Sequence, residues 1–135
     1  MTPAIADTLA LLRRALTSHR YRVRSEADLQ DQVASVLGHP HSSRFHIDRE
    51  VISSSGRYDL QVRHCMNAQT TVTVVLELKT RCAAAAVERQ AQRYAMTHGV
   101  DAVCVVTTSP RLARQLADLS ELGGKPFAVI KLRAW

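Results

Sequence analysis

Lysine is scarce in this sequence. Of its 18 basic residues only Lys79, Lys125 and Lys131 are lysines, and the rest are arginines. Where a cation is needed merely for charge, this chain uses arginine. Lys79 therefore invites a specific reason, because an ammonium can shift its pKa and handle a proton, which a guanidinium does not do. Cysteine is also sparse. Cys65, Cys82 and Cys104 are odd in number and widely spaced, which argues against a disulfide framework. The expectation for all three is that of small buried hydrophobes in a reducing cytoplasm. Long apolar runs are absent: none approaches the roughly 20 residues of a membrane span, so no membrane partner is expected. The opening residues, MTPAIADTLALLRR, lack the basic start and cleavage site of a signal peptide and read as an amphipathic helix. No glycine-rich phosphate loop and no Gly-x-Ser-x-Gly elbow occurs, which leaves nucleotide hydrolysis and serine esterase chemistry unsupported. A zinc site assembled from His39, His41, His46, His64 and the cysteines would need a partner pair at ligand-like spacing, and none is present.

What the chain does have is length for one compact domain, 135 residues with 46% hydrophobic and 22% charged, and a net charge of +6. A basic surface implies a polyanionic partner, most often nucleic acid. The charge is concentrated. Residues 1–24 set five arginines against Asp7 alone. Arg20, Arg22 and Arg24 alternate in this segment, so they can form one ridge for contacts with a phosphate backbone.

Periodicity predicts a helix from Thr2-Pro3 to about Ser18, with Ile5, Leu9, Leu12 and Leu16 as its apolar stripe. Ser25 caps a second helix that runs to about Leu37 and stops at Gly38, with Asp28 as the capping-box acid. A loop over residues 39–43 follows. Three extended runs, Phe45 to Ser53, Arg57 to Met66 and Thr70 to Thr80, are joined by short turns and read as an antiparallel meander. A helix from about Ala83 to His98 comes next, then a strand from Asp101 to Thr107. A helix from Ser109-Pro110 to about Leu122 and a strand from Phe127 to Leu132 complete the chain. The order predicts an α/β fold with a mixed sheet flanked by helices.

The third extended run contains VVLELKT. Residues two apart on a strand share a face, so Glu77 and Lys79 point together, away from Val74, Leu76 and Leu78. On the second run, Tyr58, Leu60 and Val62 are expected on one face and Asp59 on the other, although aspartate is disfavoured inside strands. On the second helix, at about 100° per residue, Glu26 aligns with the apolar stripe of Leu29, Val33 and Leu37. On the third helix the inward stripe is Val87, Ala91, Tyr94 and His98. Gln90 sits at its shoulder, sharing a flank with Arg93. Acidic side chains aligned with a core should be paired, ligating or catalytic.

These positions, in this order, resemble the PD-(D/E)XK nuclease superfamily, the restriction-endonuclease-like fold. The family pattern is a glutamate on the first core helix, an aspartate on the second strand, Glu-x-Lys on the third, and in some branches Gln-x-x-x-Tyr on the next helix. Here these are Glu26, Asp59, Glu77 with Lys79, and Gln90 with Tyr94; Tyr58 stands where the family's name has proline. The resemblance covers about residues 25–131. It implies an αβββαβ nuclease core over 25–135, preceded by an added helix and basic linker over 1–24. It further implies a Mg²⁺- or Mn²⁺-dependent DNA endonuclease, with catalytic residues Glu26, Asp59, Glu77, Lys79 and Gln90. The metal would be held by Asp59, Glu77 and the backbone carbonyl of Leu78, with Glu26 completing the shell. Arg20, Arg22, Arg24 and Arg93 would follow the DNA backbone. The small basic chain is similar to Holliday junction resolvases and stand-alone phage or defence nucleases, which suggests a homodimer that reads DNA structure more than sequence. The alternative is a non-catalytic member of the same fold that binds nucleic acid or protein.

Overall fold

The computed structural model describes residues 1–38 and 45–135, so the loop expected over 39–43 lies outside the described residues. Helix α1 spans Pro3–Thr17 and α2 spans Glu26–Leu37. The meander is β2 (Phe45–Ser53), β3 (Gly56–Asn67) and β4 (Thr70–Lys79), followed by α3 (Ala84–Ala95), β5 (Ala102–Thr107), α4 (Pro110–Leu116) and β7 (Lys125–Lys131). Three two-residue strands escaped the periodicity: β1 (Arg20–Tyr21), β6 (Glu121–Leu122) and β8 (Arg133–Ala134).

The main sheet has the order β2-β3-β4-β5-β7-β6, and β1 pairs with β8 in a separate ribbon. The meander is antiparallel, whereas β4, β5 and β7 run parallel. Helices cover both faces, so β5 is buried at every residue. That explains its unbroken apolar reading, AVCVV. One apolar layer packs Leu12 and Leu16 of α1 and Leu29, Val33 and Leu37 of α2 against Leu60, Val62, Val74, Leu76 and Leu78. The other packs Val87, Ala91 and Tyr94 of α3 and Leu112 and Leu116 of α4 against Val75, Val103 and Val105.

The ends of these elements follow local chemistry. Ser25 Oγ accepts the Asp28 amide at 3.1 Å, capping α2. The Asp28 carboxylate reaches back one residue beyond the cap, to the Arg24 amide at 3.0 Å. Asn67 Oδ1 accepts the amides of Gln69 and Thr70 and closes the β3–β4 turn. The helix expected to reach Leu122 stops at Leu116 instead. Gly123 and Gly124 have φ of 56° and 78°, and Leu122 pairs with Lys125 across them. Two consecutive residues at positive φ make the tight two-residue hairpin turn, which draws Glu121–Leu122 into the sheet.

Three further expectations are corrected. Helix α3 ends before His98, which is exposed rather than on the inward stripe. Cys65 and Cys82 are exposed and only Cys104 is buried, because Cys65 lies on an outward position of β3 and Cys82 in the β4–α3 connection. Tyr58 leaves the face of Leu60 and Val62 and packs in the opposite layer, edge-on to Tyr94 with ring centroids 4.8 Å apart.

The cause of the Tyr58 reversal lies next to it. Arg49 pairs with Leu60 and Val51 with Tyr58, but Glu50 and Asp59 between them are skipped in the ladder. Glu50 has φ of 52°, in the left-handed region. The partner strand reverses in step, for Ile47 packs with the α1–α2 layer and Val51 with the α3–α4 layer. Both strands of the hairpin change phase at the residue pair that contains Asp59.

Candidate active site

Asp59 is released from both neighbours. On the β4 side the ladder begins only at Leu60–Leu76, and past that point the Asp59 side chain replaces backbone pairing. Its Oδ2 accepts the Leu78 amide at 2.9 Å. Its own carbonyl accepts from Gln30 Nε2 on α2 at 2.8 Å. The aspartate is thus held at both ends, with its carboxylate turned to the carboxyl end of β4.

Glu77 is 2% exposed. The Lys79 ammonium lies 3.1 Å from Glu77 Oε1, on the shared face that strand geometry requires. Oε2 is buried with no hydrogen-bond partner among the described residues. Burial first, and then the neighbouring Asp59 carboxylate, push the Glu77 pKa up to about 7, against the pull of Lys79. Burial lowers the pKa of Lys79, but Glu77, Glu26 and Asp59 together outweigh it and hold the ammonium above its ordinary value. The structure therefore brings Asp59, Glu77 and Lys79 to one place.

Glu26 reaches the same end of β4 by another route. It is exposed in the first turn of α2 rather than buried on the apolar stripe, because the stripe it aligns with begins only at Leu29. Its Oε1 lies 3.4 Å from the Thr80 amide. Gln90 stays one step away from the carboxylates. Its Nε2 donates to Tyr94 Oη at 2.7 Å, and that hydroxyl donates to the Arg57 carbonyl at 3.0 Å. Burial and the Glu77 charge raise the Tyr94 pKa. Arg93 is exposed on the outer flank of α3, where it lines an open groove with Arg89, Gln90 and Gln92. Arg20 and Arg22 place their guanidinium carbons 5.0 and 5.8 Å from the Trp135 ring centroid, and Arg24 is exposed just before α2.

The donor set fits a hard divalent cation. A buried carboxylate oxygen with no donor needs a proton or a cation, and Glu77 Oε2 is such an atom. Carboxylate and carbonyl oxygens suit Mg²⁺ or Mn²⁺. Among the described residues no three His, Cys, Asp or Glu side chains gather at one point; the two carboxylates that interact at this end of β4 are Asp59 and Glu77. Of the residues in the zinc alternative, His39 and His41 lie outside the described residues; His46 faces Asp48 at 3.3 Å, and His64 Nδ1 is buried 2.7 Å from Thr8 Oγ1.

Two residues of the site were missed in the sequence. Gln30 is buried and fixes Asp59, and its spacing from Glu26 (one helical turn) already placed it on the apolar stripe. Glu50 carries no local signal for its left-handed backbone.

No protein-family model matches the chain, and no curated protein matches it. Among solved structures it is similar to a repair endonuclease from Pyrococcus abyssi, with a TM-score of 0.52 and 18% identity. The match covers 85% of this chain and 50% of that one, so this chain spans about half the length of its structural relative. At that identity the likeness shows the fold, which is α/β and restriction-endonuclease-like.

Proposed function

We propose that this protein is a divalent-metal-dependent DNA endonuclease of the PD-(D/E)XK type, hydrolysing phosphodiester bonds. The observation that carries the reading is the buried Glu77 carboxylate, with one oxygen on Lys79 and the other without a donor, beside Asp59. The fold shared with a repair endonuclease supports it.

Asp59, Glu77 and the Leu78 carbonyl would hold Mg²⁺ or Mn²⁺, with Glu26 joining through water. Such an ion supplies charge stabilisation at the phosphate and a more acidic water. The chain's own residues supply the rest. The ion pair with Glu77 keeps Lys79 an ammonium, so Nζ acts as a proton donor and as compensation for charge developing on the phosphate. Tyr94 fixes the Gln90 amide, leaving its carbonyl oxygen and one N–H to orient a water or a phosphate oxygen. Arg20, Arg22, Arg24 and Arg93 bind the DNA backbone. The cations offered, Arg20, Arg22, Arg24 and Arg93, suit phosphate contacts, so recognition would rest on backbone and DNA structure more than on sequence. Cutting both strands calls for two sites, hence a homodimer.

The test is plasmid cleavage in Mg²⁺ or Mn²⁺, comparing the parent with Asp59→Ala and Lys79→Ala, and a panel of four-way junction, flap, single strand and duplex with solution mass alongside. Loss of cleavage in both variants is expected. Undiminished cleavage by both overturns the assignment.

A further inference from the structure

Trp135 is the single tryptophan of the sequence, and the residue is 72% exposed. The ring is not loosely hung. The Trp135 amide donates to the Tyr21 carbonyl at 2.9 Å, extending the parallel ribbon in which Arg20 pairs with Arg133 and Tyr21 with Ala134. The ribbon is tied to the core. Tyr21 is 1% exposed, and its hydroxyl donates to the Leu16 carbonyl at the end of α1 at 2.8 Å. Arg133 donates to the Thr17 carbonyl at 2.7 Å. An aromatic ring is thus mounted on a fixed support.

Two cations lie beside it. Arg20 and Arg22 approach the ring within cation–π range. Neither they, nor Arg24, nor Arg133 makes an ion pair with an acidic side chain among the described residues. Guanidinium groups without carboxylate partners beside an exposed indole form the two halves of a single-strand binding surface, one for phosphate and one for the π-face of a base. A duplex hides its base faces in the stack and offers this surface only phosphates. An unpaired base offers both.

We propose that Trp135, flanked by Arg20 and Arg22, is a stacking platform for an unpaired nucleobase, so that this face binds single-stranded DNA. The inference rests on the proposed function and deepens it by making a single-stranded tract part of the substrate, and it uses none of the carboxylate residues.

The test is titration of the full chain in EDTA with oligo(dT), following the emission of its one tryptophan, beside a blunt hairpin duplex carrying the same number of phosphates. Oligo(dT) is expected to quench the emission and to bind about tenfold more tightly than the duplex at equal salt. By anisotropy of labelled DNA, Trp135→Ala is expected to weaken oligo(dT) binding about tenfold and duplex binding by less than about twofold, with Trp135→Phe retaining most of the affinity. Unchanged emission at saturation, absence of oligo(dT) binding, or an equal loss on both ligands overturns the proposal. Because no metal is present, failure of the cleavage reading leaves this result untouched, and the reverse holds as well.

Discussion

Glu50 stands opposite Asp59 in the β2–β3 hairpin, and the ladder passes over both. The left-handed backbone of Glu50 (φ 52°) lets the two strands change phase together. That phase change sends Tyr58 to Tyr94 and turns the Asp59 carboxylate to the Leu78 amide. The site therefore depends on a conformation that a glutamate adopts at a cost of ~1–2 kcal/mol.

Glycine takes this φ without that penalty, and a β-branched residue takes it least well. Glu50→Gly is expected to leave cleavage intact and stability unchanged or raised by up to ~1 kcal/mol. Glu50→Val is expected to cost ~2 kcal/mol and to lower cleavage by displacing Asp59. Denaturant midpoints and cleavage rates of the two variants check this; equal behaviour of Gly and Val would remove the backbone argument.

The Glu77 carboxyl links stability to pH. Burial and then Asp59 raise its pKa from 4.5 to about 7 in the fold, whereas in the unfolded chain it ionises near the ordinary value. Between these two values the native state keeps a proton that the unfolded state has released. Stability contributed by this group is therefore present at low pH and is lost as pH rises through the window, by an amount of order 3 kcal/mol. In EDTA the thermal midpoint of the parent is expected to fall relative to Glu77→Gln between about pH 5 and pH 7.5. Added Mg²⁺ should stabilise the parent more at the upper end, because a cation takes the place of the proton. Parallel curves for parent and variant would show that Glu77 is not the linked group.

Strand β2 was legible to the residue, Phe45–Ser53, because alternation and the Ser-Ser-Gly turn act locally. The Ser25 cap and the Glu77–Lys79 pair were legible for the same reason: each depends on residues one turn or one pleat apart. The side taken by Tyr58 was not, since it depends on a phase change that Glu50 imposes from the neighbouring strand. Glu26 was placed on the right helix but at the wrong depth, because a stripe drawn by angle says nothing about where along the helix the core begins. Trp135 drew no attention, because its arginines come from the opposite end of the sequence and reach it through a parallel pairing that no local pattern encodes.

Gln30 is a positioning residue. Its amide donates to the Asp59 carbonyl from a buried place on α2. Gln30→Leu keeps the approximate volume and strands that carbonyl, which is expected to cost ~1–3 kcal/mol. If the role were packing alone, cleavage at a temperature where the variant is fully folded would be unchanged. The expected result is a fall in kcat of about tenfold with KM nearly constant. A rise in KM with kcat preserved would place Gln30 in substrate binding instead.

Lys79 offers the sharpest discrimination between charge and chemistry. Its ammonium is 3.1 Å from Glu77 Oε1 and 17% exposed, enclosed by Glu77, Glu26 and Asp59, whose charges raise its pKa. A guanidinium would preserve the ion pair, and the chain accepts arginine at nearly every other basic position. It is planar and bulkier, though, and cannot release a proton at the reacting centre. If Lys79 only balances Glu77, Lys79→Arg retains activity and stability while Lys79→Met loses both. If it serves the reaction, both variants lose ~10²–10⁴-fold in cleavage rate, and Lys79→Arg does so with its thermal midpoint nearly intact. The second pattern is expected, with cleavage assays and thermal melts run on the same preparations.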